Sequence, residues 1–414
     1  MLTKRKLYPP YTVLIIMYVF FIVFAFTIDS PKEILSGLKT ILFTPDILIT
    51  DYIEIGGIGA TFVNAALTSL VSILILVIIG IKPNGSTIMA LYLMTGFSFF
   101  GKNILNIWPI MIGVYLFSKY QKEPFLNYTL VALLATSLAP TVSQLSFTGY
   151  FSTGTGIILG YALGIFTGFV LPPIASHCIK AHNGYNLYNI GFAGGLFATL
   201  LMSILRSIGI NFETRLIWHT GSNKIFAIFL FTISIYLIVI GLIYSDNNKN
   251  KLINISKQTG RLVSDFYILF GEASYINMGI LGIASTTFVL LIKSDLNGPT
   301  MAAIFTIMGF GCFGKHLKNI TPIVIGACLA SLLHVDPINS PGLILSILFS
   351  TALAPISGKF GWKFGIIAGF LHLNIVTNIG YLHGGLNLYN NGLAAGFVAM
   401  ILIPLITTFR EEQY

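Results

Sequence analysis

"HNGYNLYNIGFAGG" occupies residues 182–195 and "HGGLNLYNNGLAAG" occupies residues 383–396, with nine of the fourteen positions identical. Both stretches are crowded with asparagine, tyrosine and glycine, yet both sit between runs fit only for lipid. A polar sentence written twice in an apolar chain marks a duplication, and a duplication changes the meaning of every other motif. Other pairs recur in the same order. "GFSFFGKNILNIWPIMIG" (96–113) matches "GFGCFGKHLKNITPIVIG" (309–326), "NGSTIMA" (84–90) matches "NGPTMAA" (297–303), and "ATSLAP" (135–140) matches "STALAP" (350–355). "YIEIGGIG" from residue 52 is likewise aligned with "YINMGILG" from residue 275. The chain therefore reads as a first transmembrane repeat, 1–220, and a second, 221–414.

Of the 414 residues 55% are hydrophobic and only 9% charged, where a soluble globular chain is about a quarter charged. The apolar runs are long and lack the alternation of a barrel, so the fold class is all-α, a polytopic membrane protein. The first run, from about Thr12 to Ile28, follows a basic start but has no small-x-small site after it, and reads as a retained span rather than a signal peptide. Cys178, Cys312 and Cys328 offer neither a disulfide framework nor a metal spacing. No cofactor motif is visible, and none is expected. The net charge of +9 is scattered through short loops, which points to loop topology rather than to nucleic acid.

About 14 spans are expected, seven per half. They fall near 12–28, 55–81, 86–100, 104–119, 127–147, 154–176 and 185–206, then 225–244, 273–292, 298–313, 317–333, 342–357, 361–377 and 386–408. Amphipathic segments at 31–43 and 251–270 belong at the interface. An odd number of crossings per half would invert the second half relative to the first. Threading the chain this way puts sixteen of the 23 lysines and arginines on the side of Lys4, Arg5 and Lys6 and seven opposite, so both termini are expected in the cytoplasm of a cell-membrane protein. Were 86–100 merely to dip into the membrane, the even count would leave the halves parallel. Inverted repeats are a transporter architecture, with the solute site at the midplane.

All fourteen acids fall in expected loops, interfacial segments or span ends, Glu54, Asp265 and Glu272 lying nearest the membrane. That argues against a carboxylate-driven pump and against an enzyme working through paired acids. Lys102 and Lys315 each end a run "GFxxFGK" between two short apolar segments. A cation there can snorkel, meet helix C-terminal carbonyls or receive an anion. In the opening motif, Asn186 and Asn189 share a helical face, as do Asn387 and Asn390, and at a helix start within the membrane they offer a hydrogen-bonding site. Tyr188 and Tyr389 could stack on a planar solute, though the aromatic belt is the favoured place. Gly191, Gly195, Gly392 and Gly396 form stripes that let helices pack closely. His182 and His383 suit capping or interfacial roles. Pro109, Pro322, Pro140 and Pro355 mark helix breaks at equivalent points. The first copy also carries an extra "SQLSFTGYFSTGTG" (143–156), a lid or a plain loop.

At "NLYNxGxAxG" and "GFxxFGK" the chain resembles, over nearly its whole length, a bacterial family of polytopic membrane proteins known mainly as a domain of unknown function. That resemblance implies no substrate. In its paired halves, its asparagines and glycines at helix starts and its "SLAP" and "ALAP" segments, it is loosely similar to urea transporters, which implies a duplicated, inverted path for a small neutral solute. It lacks their "LPxP"-type segments and carries lysines where those pores have none. Seven-plus-seven nucleobase and anion transporters are similar in inversion and short half-helices.

The expectation is a transporter or channel for a small polar solute, neutral or anionic, not an enzyme. Its site lies between the halves at Asn186, Asn189, Asn387, Asn390, Lys102, Lys315, Tyr188 and Tyr389. Its partners are that solute, the lipid bilayer and a second copy in a homo-oligomer, with no nucleic acid. A membrane-embedded enzyme would need a clustered nucleophile or metal set. A receptor or assembly protein would need a soluble module, and the longest polar loop, 244–261, is short.

Overall fold

The computed structural model describes residues 9–262 and 264–411 and contains no strand among them. Lys4, Arg5 and Lys6, which anchor the expected cytoplasmic N-terminus, lie outside the described residues. The first half has ten α-helices: α1 (Pro9–Ile28), α2 (Pro31–Phe43), α3 (Tyr52–Gly56), α4 (Ile58–Ile79), α5 (Gly85–Phe97), α6 (Ile107–Tyr120), α7 (Thr129–Ala135), α8 (Pro140–Phe147), α9 (Thr153–Ala181) and α10 (Asn189–Ser207). The second half repeats them in order: α11 (Asn223–Tyr244), α12 (Asn248–Ile255), α13 (Phe266–Phe270), α14 (Ala273–Leu291), α15 (Gly298–Phe310), α16 (Leu317–Ser331), α17 (Pro341–Phe349), α18 (Ala354–Phe360), α19 (Trp362–Ile379) and α20 (Asn390–Glu411).

Every expected span is a helix or a broken pair of helices. Eight have the length and composition to cross a membrane, nine if α7 and α8, bent by 43°, count as one, against the fourteen crossings expected. Four of the five missing are too short, and the fifth, α19, has 18 residues but carries Lys363, His372, Asn374 and Asn378 and is not apolar enough. Helices α5, α6, α15 and α16 have 13 to 15 residues, about 20 Å at 1.5 Å per residue against roughly 30 Å of hydrocarbon. The extra residues at 143–156 form no separate lid. They lengthen α9 to 29 residues against 18 in α19, and the short turn before it is pinned where Tyr150 Oη donates to Asn211 O at 2.6 Å.

The repeated motifs become local structure. "NGST" and "NGPT" are capping boxes, in which Asn84 and Asn297 accept from the N–H groups of Thr87 and Thr300 and so start α5 and α15. "GFxxFGK" is a helix stop. Gly101 and Gly314 take left-handed φ values of 86° and 117°, turning the chain so that the N–H of Lys102 reaches Phe97 O and that of Lys315 reaches Phe310 O. Helices α5 and α15 are buried almost all round, as helices without a polar face must be.

One sequence alignment shifts. Asn64 Nδ2 donates to Ser98 O and Lys102 O, and Asn277 Nδ2 donates to Gly311 O and Lys315 O. Asn64 is therefore the partner of Asn277, and Tyr52 opposes the start of α13 rather than Tyr275. The match between "YIEIGGIG" and "YINMGILG" is therefore out of register.

Equivalent helices run antiparallel where they meet. Near one end of α1, Tyr236 Oη of α11 donates to Val13 O; toward the other, Phe20 and Phe24 of α1 meet Phe229. In α5 and α15, Gly96 lies against Ala302 and Gly309 against Tyr92. Glycine permits the tightest crossings. A Cβ on Gly168 would stand 1.9 Å from Ile110 O, and in the equivalent crossing a Cβ on Gly369 would stand 1.9 Å from Ile323 O. Backbone cannot yield as a side chain does, so Gly369→Leu is expected to destabilise the protein by at least about 1–3 kcal/mol, read as a lowered melting temperature in detergent. Gly380→Ala, whose Cβ would meet nothing within 4 Å, should leave it nearly unchanged.

Candidate functional site

Helices α5 and α15 end inside the protein, and the loops that follow carry Lys102 and Lys315. Both side chains have 0% exposure. They therefore sit in neither aqueous loop, and removing them from the lysine and arginine count keeps its bias. Each ammonium group is met by the tyrosine of the other half's NLYN motif. Lys102 Nζ lies 2.8 Å from Tyr389 Oη and Lys315 Nζ lies 2.6 Å from Tyr188 Oη. Aromatic faces complete the two nests: Tyr389 and Phe97 around Lys102, Tyr188 and Phe310 around Lys315. Lys315 also donates to Thr351 Oγ1 at 2.8 Å, whereas Lys102 has Met94 Sδ at 3.7 Å.

The NLYN loops are held across the same boundary. Asn186 Nδ2 donates to Gly392 O at 3.0 Å and Asn387 Nδ2 to Gly191 O at 2.9 Å. Their Oδ1 atoms accept from the N–H groups of Tyr188 and Tyr389. The N–H of Leu187 reaches Ala352 O, and that of Leu388 reaches Ser137 O. These bonds come in reciprocal pairs, so the site has two-fold pseudosymmetry. Gly191 and Gly392 touch at its centre, while Gly195 and Gly396 pack on Leu393 and Phe192.

Beside the two tyrosines lies a cavity of about 210 Å³ between the halves, walled by Phe97, Phe310, Phe349, Tyr188, Tyr389 and Asn391. A wider, more polar recess of about 740 Å³ reaches Asn390 and Asn391 past Arg215, His334 and Asp336. Asn391 lines both, and its Oδ1 is buried without a hydrogen-bond partner. The lysines stand behind the tyrosine rings rather than in the cavity wall.

Neither lysine has a carboxylate. The ion pairs among the described residues are His219–Glu54 and Lys251–Asp246, both outside the site. An ammonium has three donors, and burial without a counter-charge is unfavourable by several kcal/mol. Each lysine is therefore either a neutral amine bonded to a phenol or a cation awaiting an anion.

Residues 30–207 and 245–408 match a family described as "Protein of unknown function (DUF1576)". The chain belongs to this family. No curated protein and no solved structure matches it.

In this DUF1576 chain Lys102, Lys315, Tyr188, Tyr389, Asn186 and Asn387 come together in the clasp, the two asparagines with both ends of their carboxamides occupied. Asn189 and Asn390 stand one step out, bonded to His182 and His383 at 2.9 and 2.7 Å; Asn189 lines the inner cavity and Asn390 the recess. Both histidines are fully buried, and the tyrosines are 6% and 5% exposed, so all four side chains pack inside the protein rather than facing outward.

Sequence reasoning missed Asn64 and Asn277, whose signal was an asparagine at equivalent points of two apolar runs. It also missed Asp46 and Asp51, both at 0% exposure. They lie in what reads as an interfacial loop, and nothing local announces that the loop folds inward.

The clasp is testable by a double-mutant cycle. Tyr389→Phe removes a hydroxyl partner from a buried donor and is expected to destabilise by about 1–3 kcal/mol. Adding Lys102→Met should recover part of that loss, because the two changes are coupled. Thermal or denaturant unfolding of the purified protein checks both values.

Proposed function

We propose that this protein is a membrane transporter or channel for a small polar solute bearing an anionic or strongly accepting group. The observation that carries the reading is the pair of buried lysines without carboxylates, set behind tyrosines that wall a cavity between the halves. A solute entering by the polar recess passes Asn390 and Asn391. On reaching the tyrosine rings it offers the lysines the acceptor they lack, and displacement of one ring exchanges a phenol for the solute. Preformed, dehydrated donors of this kind favour an anion without a water shell. The aromatic rings add faces on which a planar solute can lie. The reading assigns the protein no bond-making chemistry.

The reading includes inverted halves and places both termini in the cytoplasm of a cell membrane. Its support is the antiparallel meeting of α1 with α11 and of α5 with α15, since equivalent helices that both cross can run oppositely only if one half is upside down. The short helices then act as broken or partial spans whose ends meet at the site.

Two measurements test it. In proteoliposomes screened against small anionic and neutral solutes, uptake of at least one is expected, falling tenfold or more in Lys102→Ala plus Lys315→Ala; no uptake of any solute contradicts transport. In a cysteine-free background, Lys82→Cys and Lys293→Cys, in equivalent loops, are expected to react with an impermeant thiol reagent from opposite sides. Labelling from one side would make the halves parallel.

A further inference from the structure

At Asp46 the pseudosymmetry around the Lys102 loop is broken by a charge. It lies in the loop between α2 and α3, fully buried. Its Oδ2 accepts from Ser143 Oγ at 2.8 Å, Asn106 Nδ2 at 3.0 Å and Asn103 Nδ2 at 3.4 Å. Its Oδ1 has no hydrogen-bond partner, and no cation pairs with it among the described residues. Tyr52 adds a further hydrogen bond to this carboxyl, but all of these donors are neutral, and a buried carboxylate without a counter-cation carries an uncompensated charge.

The second half builds the same loop without an acid. Asn319 holds Gly314 O at 2.9 Å as Asn106 holds Gly101 O at 3.0 Å. There the place of Asn103 is taken by His316, bonded to Gln258 O. The place of Ser143 is taken by Gly358, where a Cβ would stand 2.2 Å from Thr259 O. Backbone carbonyls suffice for the geometry, so the carboxylate is not needed to shape the loop.

It is placed to report on it. Asn106 Nδ2 bridges Asp46 Oδ2 and Gly101 O, one residue from Lys102. The loop of Asp46 also reaches the other half, where the N–H of Leu48 donates to Gly385 O in the segment leading to Asn387 and Tyr389. Through Asn106 on one side and Leu48 on the other, the loop of Asp46 is thus linked to both sides of the Lys102–Tyr389 contact.

We propose that Asp46 is a binding site for a small monovalent cation, a proton or a sodium ion, whose single positive charge completes the carboxylate and sets the position of the Lys102 loop. Resting on the transport reading, this makes Asp46 the coupling site, with cation uptake in one half biasing the clasp that the solute must open. Of the titratable and charged groups on the elements packed against it, Tyr52 of α3 hydrogen-bonds the carboxyl; Lys102 is on the loop it supports, Asp51 is farther along its own loop, and Arg215 and His383 are on the segments that its loop meets through Ile49 and Leu48. Asp46 lies outside the spanning helices, and burial pushes its carboxyl up to about 7, against the pull of Ser143, Tyr52 and Asn106. A carboxyl raised in this way binds a proton in the folded chain that the unfolded chain has released, so stability falls as pH rises through that value.

The test is the melting temperature of the purified full-length protein, for wild type and Asp46→Asn, from pH 5 to 9 at constant ionic strength with sodium or N-methylglucamine. A sodium site predicts a saturable rise of a few degrees with sodium in the wild type. A proton site predicts a fall with rising pH that is indifferent to sodium. In either case Asp46→Asn loses the sodium response, or loses the part of the pH dependence that Asp51, itself raised to about 7 by burial, does not supply, and Ser143→Ala, kept as a second variant should Asp46→Asn not fold, shifts the midpoint. A wild type insensitive to both, or an Asp46→Asn whose response equals that of the wild type, overturns the proposal. Because the readout is binding, a positive result with no flux of any solute would sink the transport reading and leave the site standing.

Discussion

A helix that stops inside a membrane protein leaves carbonyl groups with no water to meet, and everything at the centre of this molecule follows from how α5 and α15 stop. Asn64 and Asn277 each give both amide hydrogens to carbonyls at those ends. Gly101 and Gly314 turn the chain. The next residue in each case is a lysine, delivered to the boundary between the halves with no freedom to snorkel away. The ends are fixed by neighbouring helices rather than by solvent, so the lysines inherit a rigid address.

At that address each half completes the other. A tyrosine from the far half supplies the hydroxyl and one aromatic face, and the near half supplies a phenylalanine. Asparagines hold the tyrosine-bearing loops across the same seam, and glycines let the backbones approach closely enough for those bonds to form. Apolar burial alone gives helices in lipid little reason to choose partners. The reciprocal polar contacts are what specify this pairing, and they do so around two buried lysines that have no carboxylate partner.

The duplication and the all-helical, membrane-embedded class were legible in the residues, because a repeated polar motif and long apolar runs are local signals. So were the helix stops at "GFxxFGK", since glycine before a lysine between short apolar segments has few other uses. The burial of Lys102 and Lys315, and their meeting with Tyr389 and Tyr188, could not be read. Those contacts join residues 287 and 127 positions apart, and a lysine at a helix end looks the same in sequence whether it faces water or a phenol. Asp46 was hidden for the same reason, as a loop residue whose loop folds inward. The shortness of α5, α6, α15 and α16 was visible, but an apolar run of that length does not say whether it crosses.

The central claim is that the clasp opens, so that lysines sealed in this structure become reachable. Reductive methylation with formaldehyde on protein in liposomes, followed by peptide mass spectrometry, measures it directly. The account predicts slow but finite dimethylation of Lys102 and Lys315, slower than at exposed Lys249 and faster when Tyr188 or Tyr389 is replaced by phenylalanine. Complete protection of both lysines while surface lysines react to completion, unchanged by those replacements, would mean that the clasp is a permanent structural core.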